Sequence, residues 1–331
     1  MDGVTDPITS ALLDDWQRDF PVEPRPFDRI AAALGIESSE VLARLSAQMQ
    51  DGRITRVGAT CAPNTVSAST LAAIAAPEGR IEEVAAIIGA QEGVNHSYLR
   101  EDEWNLWFVV TGPDRAHVKA TIARIEAQTG LRVLDLYLVR PFNVDLGFSM
   151  RGAAAPLSSS RVVDMSAFKD RDRPILQALT KGLPLVPRPY VQIADELGRT
   201  EPDVLHRIAA LVRANIISRL GVIVRHRALG WRANAMVVWD MPHEAITEAG
   251  PLLARQPGIT LCYERVTVPG IWPYRLYSMI HARSRKDAFA VLDRVRALPE
   301  FAGVDYKPLF STRCFKQTGA MIDAGKQRET A

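Results

Sequence analysis

The sequence predicts an α+β protein built from two tandem copies of a winged helix-turn-helix followed by a ferredoxin-like βαββαβ unit. Three observations carry that prediction. First, the chain is written twice: Pro21-Val-Glu-Pro-Arg-Pro-Phe-Asp-Arg-Ile returns as Pro184-Leu-Val-Pro-Arg-Pro-Tyr-Val-Gln-Ile, and the constant spacing of 163 residues holds to Gly58 and Gly221. A fixed spacing held over nearly forty positions marks a duplication. Second, each copy opens with three short helical patterns, the second of which ends at Gly35 or Gly198, glycine being the favoured stop. Third, the rest of each copy alternates strand, helix, strand, strand, helix, strand, which is the order of the split βαβ unit.

Taken in order, the first copy predicts helices at about Ile8–Arg18, up to Gly35, and from Ser38-Ser39-Glu40 onward, where Val41, Leu42, Leu45 and Met49 fall at helical spacing. A short strand pair completes the wing. The ferredoxin-like elements follow at Ser69–Ala76, Arg80–Gln91, Val94–Arg100, Trp104–Thr111, Asp114–Thr129 and Val133–Val139. The second copy repeats them, with its third helix starting at Thr200-Glu201-Pro202-Asp203, capped by threonine and with an early proline. Its later elements are Ala233–Asp240, His243–Gln256, Ile259–Arg265, Tyr274–His281, Arg285–Leu298 and Val304–Phe310. The predicted divisions are 1–62 and 63–148 for the first copy, a flexible polar linker at 149–171, then 172–224 and 225–320, with a tail at 321–331. The two ferredoxin-like units are expected to pair sheet to sheet as an intramolecular pseudo-dimer, because each has an apolar face to cover.

Composition excludes several classes. The chain has 331 residues, 47% hydrophobic and 24% charged, with a formal net charge of +2, so it is no polycation shaped for nucleic acid. Cys61, Cys262 and Cys314 are too few and too scattered for a disulfide framework or a zinc site. No basic-then-apolar leader and no membrane-length apolar run is visible, so a cytoplasmic protein without membrane partners is expected.

The most informative stretch runs from Gly93 to Val110. Side chains alternate along a strand, so His96, Tyr98 and Arg100 should share one face. A titratable ring, a phenol and a guanidinium together suit an anionic substrate that exchanges protons.

The order of helix-turn-helix then ferredoxin-like unit resembles the Lrp/AsnC family of transcription regulators. Within that superfamily the motifs are similar to the siroheme decarboxylases, in the form that fuses both subunit types. They are Val94-Asn-His-Ser-Tyr-Leu-Arg100 and Trp104-Asn-Leu-Trp-Phe108 in the first half. The second half carries Val224-Arg-His-Arg-Ala-Leu-Gly-Trp-Arg-Ala-Asn234, Leu261-Cys-Tyr-Glu-Arg265 and Trp272-Pro-Tyr-Arg-Leu-Tyr277. The resemblance covers roughly residues 7 to 320. It implies removal of carbon dioxide from two acetate side chains of siroheme, giving 12,18-didecarboxysiroheme on the way to heme d1 or to heme. No organic cofactor is expected, since the macrocycle is its own electron sink; iron enters with the substrate, and nothing in the spacing picks out a protein ligand to it.

A flat apolar macrocycle bordered by carboxylates needs aromatic walls and arginines. The resemblance therefore points to Tyr98, Arg100, Asn105 and Trp107 as substrate-binding in the first copy. In the second it points to Arg225, Arg227, Tyr263, Arg265, Trp272, Tyr274, Arg275, Tyr277, His281 and Arg313. His96 and His226 are the expected proton carriers, because imidazole exchanges protons near neutrality. Neither has a counterpart where the copies align: His96 faces Leu261, and Arg225-His226 falls in a two-residue insertion. Asymmetric histidines on a symmetric fold suggest one composite site. Siroheme is the expected partner; a further homodimer and contacts with other heme d1 pathway proteins are compatible with the chain.

Two rival functions come from other classes. A DNA-binding regulator would present the start of each third helix to phosphates. Those starts carry Glu37 and Glu40, or Glu201 and Asp203, and carboxylates there repel phosphate. A non-catalytic heme carrier or sensor would bind the macrocycle without turnover.

Overall fold

The structure, a computed structural model, describes residues 6–144, 147 and 162–324. The first copy reads α1 (Pro7–Asp14), α2 (Pro26–Leu34), α3 (Ser38–Gln50), β1 (Ile54–Cys61), β2 (Ala68–Ile74), α4 (Ile81–Ala90), β3 (Val94–Arg100), β4 (Leu106–Gly112), α5 (Arg115–Thr129) and β5 (Val133–Asn143). The second reads α6 (Arg173–Lys181), α7 (Pro189–Glu196), α8 (Glu201–Arg213), β6 (Ile217–Val224), β7 (Ala233–Trp239), α9 (Ile246–Ala254), β8 (Ile259–Arg265), β9 (Leu276–Ala282), α10 (Arg285–Arg296) and β10 (Tyr306–Gln317). Contacts gather these into two units: both helix-turn-helix segments form one, and both ferredoxin-like segments form the other.

In the helix-turn-helix unit, Pro26 and Pro189 sit in the first turns of α2 and α7, where a missing N–H costs nothing. Gly35 closes α2 at φ +66°. Thr200 caps α8 through its side chain, accepting from the Asp203 N–H, whereas Glu37 ahead of α3 makes no such bond. The expected wing in each copy is corrected. Each copy contributes one strand, and β1 pairs antiparallel with β6 across the pseudo-dimer, Gly58 opposite Gly221. Helical segments approach both strands closely at these glycines. A Cβ on Gly221 would lie 2.5 Å from the Trp16 carbonyl, and one on Gly58 would lie 2.5 Å from the Leu179 carbonyl. Each copy's first helical segment thus packs on the other copy's strand. Arg207 of α8 meets Asp172 at 2.6 Å in a buried ion pair.

The expected linker is shorter than 149–171. Asp164 N–H donates to Ala214 C=O at 2.9 Å, and Asn215 donates to Val162 C=O, so 162–171 is pinned to the end of α8. Residues 149–161 of that linker, and 325–331 of the expected tail, lie outside the described residues.

The ferredoxin-like unit closes into an eight-stranded barrel in the order β10-β3-β4-β2-β5-β8-β9-β7. The expected pairing between the two units takes a specific form: edge strand bonds to edge strand, so no edge is left open. β5 pairs with β2 through Val133–Tyr137 and with β8 through Leu138–Asn143. β10 pairs likewise, Tyr306–Phe310 with β7 and Ser311–Gln317 with β3. The strands expected at Val133–Val139 and Val304–Phe310 therefore run on to Asn143 and Gln317, held by partners more than a hundred residues away. The outer faces are covered by helices, with Val84, Ile88, Val118 and Ile122 on one sheet and Ile246, Leu253, Val291 and Val295 on the other. The inner faces share a third core of Leu71, Ala73, Trp107, Leu136, Met236, Tyr263, Trp272, Tyr277 and Met279.

Candidate active site

The barrel interior places the predicted strand residues. In β3 the register against β4 slips by one residue between Val94 and His96. That irregularity turns Val94 toward the helices and His96, Tyr98 and Arg100 toward the interior. The rings of His96 and Tyr98 stack at 6.4 Å, and the Arg100 guanidinium lies 5.6 Å over the Tyr98 ring. His96 and Tyr98 are half-buried and Arg100 is 6% exposed. β8 repeats the device, slipping between Ile259 and Leu261, and aims Tyr263 and Arg265 inward.

Arg100 and Arg265 are the electrostatic feature of this interior. Arg100 Nη1 donates to Leu309 C=O at 2.8 Å and to Asn234 Oδ1 at 3.4 Å; Arg265 Nη1 donates to Leu136 C=O at 2.7 Å. The Nε of each is buried without a hydrogen-bond partner. Neither forms an ion pair with a carboxylate among the described residues; their other near neighbours are tyrosines. Arg265 lies 4.6 Å from the centre of the Tyr263 ring and 6.0 Å from that of Tyr277. Burial lowers the pKa of both guanidiniums, opposed for Arg100 by the phenols of Tyr263 and Tyr98. Two desolvated cations without counter-charge, Arg100 buried and Arg265 half-buried, are costly in an apolar barrel. The chemistry that relieves the cost is an anionic ligand.

The aromatic wall is continuous. Trp107 packs 5.3 Å from Trp272, Tyr263 stacks 5.7 Å from Tyr277, and Trp272 meets Tyr274 edge-on at 4.9 Å. Trp272 Nε1–H donates to the Tyr277 hydroxyl at 2.8 Å, and the Trp107 indole donates to Trp104 C=O. Burial raises the Tyr277 phenol, which the Trp272 bond opposes. His281 lies on the same inner face, buried, with Nε2 2.8 Å from Asn234 and Nδ1 2.7 Å from Thr260.

Other predicted residues are elsewhere. Asn105 spends its amide clamping Ala76, accepting from its N–H at 3.0 Å and donating to its C=O at 2.8 Å. Arg313 is exposed and pairs with Glu82 of α4, on the helical side. Arg275 reaches His243. Counting by twos from the inward Leu309 would turn Arg313 inward, but the register slips between Ser311 and Arg313 and turns it to the helical side. His226, half-buried in the turn after β6, and the exposed Arg225 and Arg227 belong to the helix-turn-helix unit. Sequence reasoning missed Asn234, Thr260 and Lys307. Lys307 lies 5.7 Å from the centre of the Trp272 ring and pairs with Asp102 at 3.2 Å. The signal for Asn234 was a polar residue at inward parity in the otherwise apolar strand Ala233–Trp239.

Comparison with known proteins fits this architecture. A model of the AsnC-like ligand binding domain matches residues 66–143 and 228–316, and one of the siroheme decarboxylase NirDL-like HTH domain matches 10–54 and 172–217. The siroheme decarboxylase NirDL subunit of Paracoccus denitrificans (strain Pd 1222) is 53% identical over 96% of this chain and 98% of its own length. That of Paracoccus pantotrophus is 54% identical over the same shares. This chain belongs to the siroheme decarboxylase family. As a family member it is a carboxy-lyase of Lrp/AsnC-like fold. A crystal structure of the siroheme decarboxylase NirDL in co-complex with an iron-uroporphyrin III analogue matches with a TM-score of 0.69 at 25% identity, covering 96% of this chain and 95% of that one. Among the described residues, no helix is long and apolar enough to cross a membrane.

Proposed function

We propose that this protein converts siroheme to 12,18-didecarboxysiroheme by removing the carboxyl groups of two acetate side chains. The observation that carries the reading is the pair of desolvated guanidiniums without a counter-charge, Arg100 buried and Arg265 half-buried, each with a buried unpartnered Nε, beside an imidazole and an aromatic wall. A solved relative holds an iron-uroporphyrin III analogue, a macrocycle of the same carboxylate-rimmed class.

In this reading Arg100 and Arg265 bind substrate carboxylates, and Trp107, Trp272 and Tyr263 meet the macrocycle's edge. A proton delivered to a pyrrole carbon turns the ring into an electron sink. The acetate carbon–carboxyl bond then breaks, carbon dioxide leaves, and the bond's electron pair enters the ring. Return of the ring proton to solvent and addition of a proton to the exocyclic methylene leave a methyl group. The net change per acetate is uptake of one proton and loss of one carbon dioxide, with no redox step. His96 is the proton carrier for this face, with a contribution of roughly 10²–10⁴-fold. His226 is assigned the second acetate. The product feeds heme d1 or heme formation, and the two copies act as a pseudo-dimer.

Anaerobic incubation with siroheme, followed by mass analysis, tests the reading. Loss of two carbon dioxide units supports it. Tight binding with no mass change would make the protein a carrier, and no binding would remove the tetrapyrrole altogether.

A further inference from the structure

We propose that Asn234 is a positioning residue: it orients Arg100 for a substrate carboxylate and fixes the tautomer of His281. The inference rests on the siroheme reading above and deepens it. It follows from the direction of a hydrogen-bond chain that runs along the barrel wall from β3 to β7, β9 and β8. A guanidinium only donates, so Arg100 must face the Asn234 oxygen, as observed at 3.4 Å. The Asn234 amide nitrogen is then left for His281, and donates to Nε2 at 2.8 Å. Thr260 gives its single hydroxyl proton to Met279 C=O at 3.1 Å, so its oxygen accepts from His281 Nδ1–H at 2.7 Å. Every member has one consistent orientation: Arg100 to Asn234, Asn234 to His281, His281 to Thr260, Thr260 to the β9 backbone. The imidazole at the centre is neutral with its proton on Nδ1, because a protonated ring cannot accept from Asn234.

The chain exists on one side of the pseudo-dimer only. At the equivalent strand positions the first copy carries Ser69 for Asn234, Asn95 for Thr260 and Thr111 for His281. Arg265 accordingly has the Leu136 carbonyl but no counterpart to Asn234. Two arginines with the same backbone anchor thus differ in their side-chain partner, the Asn234 amide oxygen for Arg100 and the Tyr263 hydroxyl for Arg265. A carbonyl oxygen suits this task. It orients the guanidinium without neutralising it, which leaves the charge for the ligand.

Asn234→Asp places a carboxylate against Arg100 in the same volume and is the primary test. The expected result is siroheme affinity, read by anaerobic titration of the Soret band, lowered at least about tenfold, with turnover at saturating siroheme changed less than about threefold. In the ligand-free wild-type protein, ¹⁵N NMR of His281 should show the Nδ1–H tautomer alone, and Asn234→Leu should give a mixture. Thr260→Val keeps the volume and removes the acceptor, so it carries the tautomer test should the Asn234 variants not fold. Unchanged siroheme affinity in Asn234→Asp, or a wild-type His281 carrying its proton on Nε2, overturns the proposal. Failure of wild-type protein to bind siroheme sinks the functional reading instead, while the NMR result still decides the tautomer.

Discussion

Arg100 and Arg265 each bond to the neighbouring strand, which is the opposite copy's last strand, at the carbonyls of Leu309 and Leu136, 2.8 Å and 2.7 Å away. Those leucines are themselves equivalent, lying opposite Met236 and Leu71. The duplication has therefore kept a pair of desolvated cations that cost stability in the free protein. Arg100→Met should leave the protein equally stable or up to about 2 kcal/mol more stable. It should also lose about 2 kcal/mol of siroheme binding, roughly 30-fold. Thermal denaturation and Soret titration on one sample decide it; a large loss of stability would make the arginine structural.

His96→Ala removes an imidazole that is only half-buried and stacks on Tyr98 at 6.4 Å. Siroheme affinity should hold within about threefold while turnover falls by roughly 10²-fold or more. His226→Ala is expected to stop at the mono-decarboxylated product, if each histidine serves one acetate. Mass analysis of the products distinguishes the two variants, and wild-type rates of double decarboxylation by His96→Ala would remove its assignment.

The fold was legible in the sequence because the signal was repetition, and repetition does not depend on distant contacts. Strands Val94–Arg100 and Ile259–Arg265 are found at their predicted bounds, since local alternation and short turns define them. What stayed hidden was non-local. Nothing in Ile54–Cys61 says that its partner is Ile217–Val224 rather than a neighbour in its own copy, and nothing in Phe310–Gln317 says that a strand continues against β3. The site followed the same rule. His96, Tyr98 and Arg100 share a face that parity predicted. The bonds that Asn105 makes to the Ala76 backbone are non-local and carry no signal in the sequence.

Arg207 shows the opposite arrangement to Arg100. It is buried but compensated, with Nη2 2.6 Å from Asp172 and a further bond to Ala167 C=O at 2.7 Å. Asp172→Ala leaves that cation unpaired and should destabilise the helix-turn-helix unit by about 3–5 kcal/mol. Urea denaturation monitored by circular dichroism measures it, and a change under about 1 kcal/mol would show that water replaces the carboxylate.

Thiol chemistry should separate the three cysteines. Burial pushes the Cys61 thiol up to about 12 and raises Cys262 as well, whereas Cys314 is exposed. Native protein at pH 8 should label once with iodoacetamide, at Cys314, and three times when unfolded. A thiol with a raised folded pKa contributes stability below its unfolded value, near 9, and loses it as pH rises toward 12. Stability from Cys61 should thus decline with rising pH, and Cys61→Ala should flatten that part of the profile. Cys61 is half-buried and protected by its raised pKa, so native labelling of Cys61 as fast as that of Cys314 would contradict the shift.

Two glycines give a test of the swapped helix-turn-helix packing. Gly221 has no room for a side chain: a Cβ there would lie 2.4 Å from the Gln17 carbonyl oxygen and 2.5 Å from that of Trp16, both rigid backbone atoms. Gly35 is a different case, with nothing within 4 Å of its Cβ position but a φ of +66°. Gly35→Ala should cost about 1 kcal/mol, the ordinary penalty of a left-handed alanine. Gly221→Ala forces the first copy's helical segment off the second copy's strand and should cost about 3 kcal/mol or more. If both substitutions cost the same in urea denaturation, the close approach of the Trp16–Gln17 backbone to β6 is not present in solution.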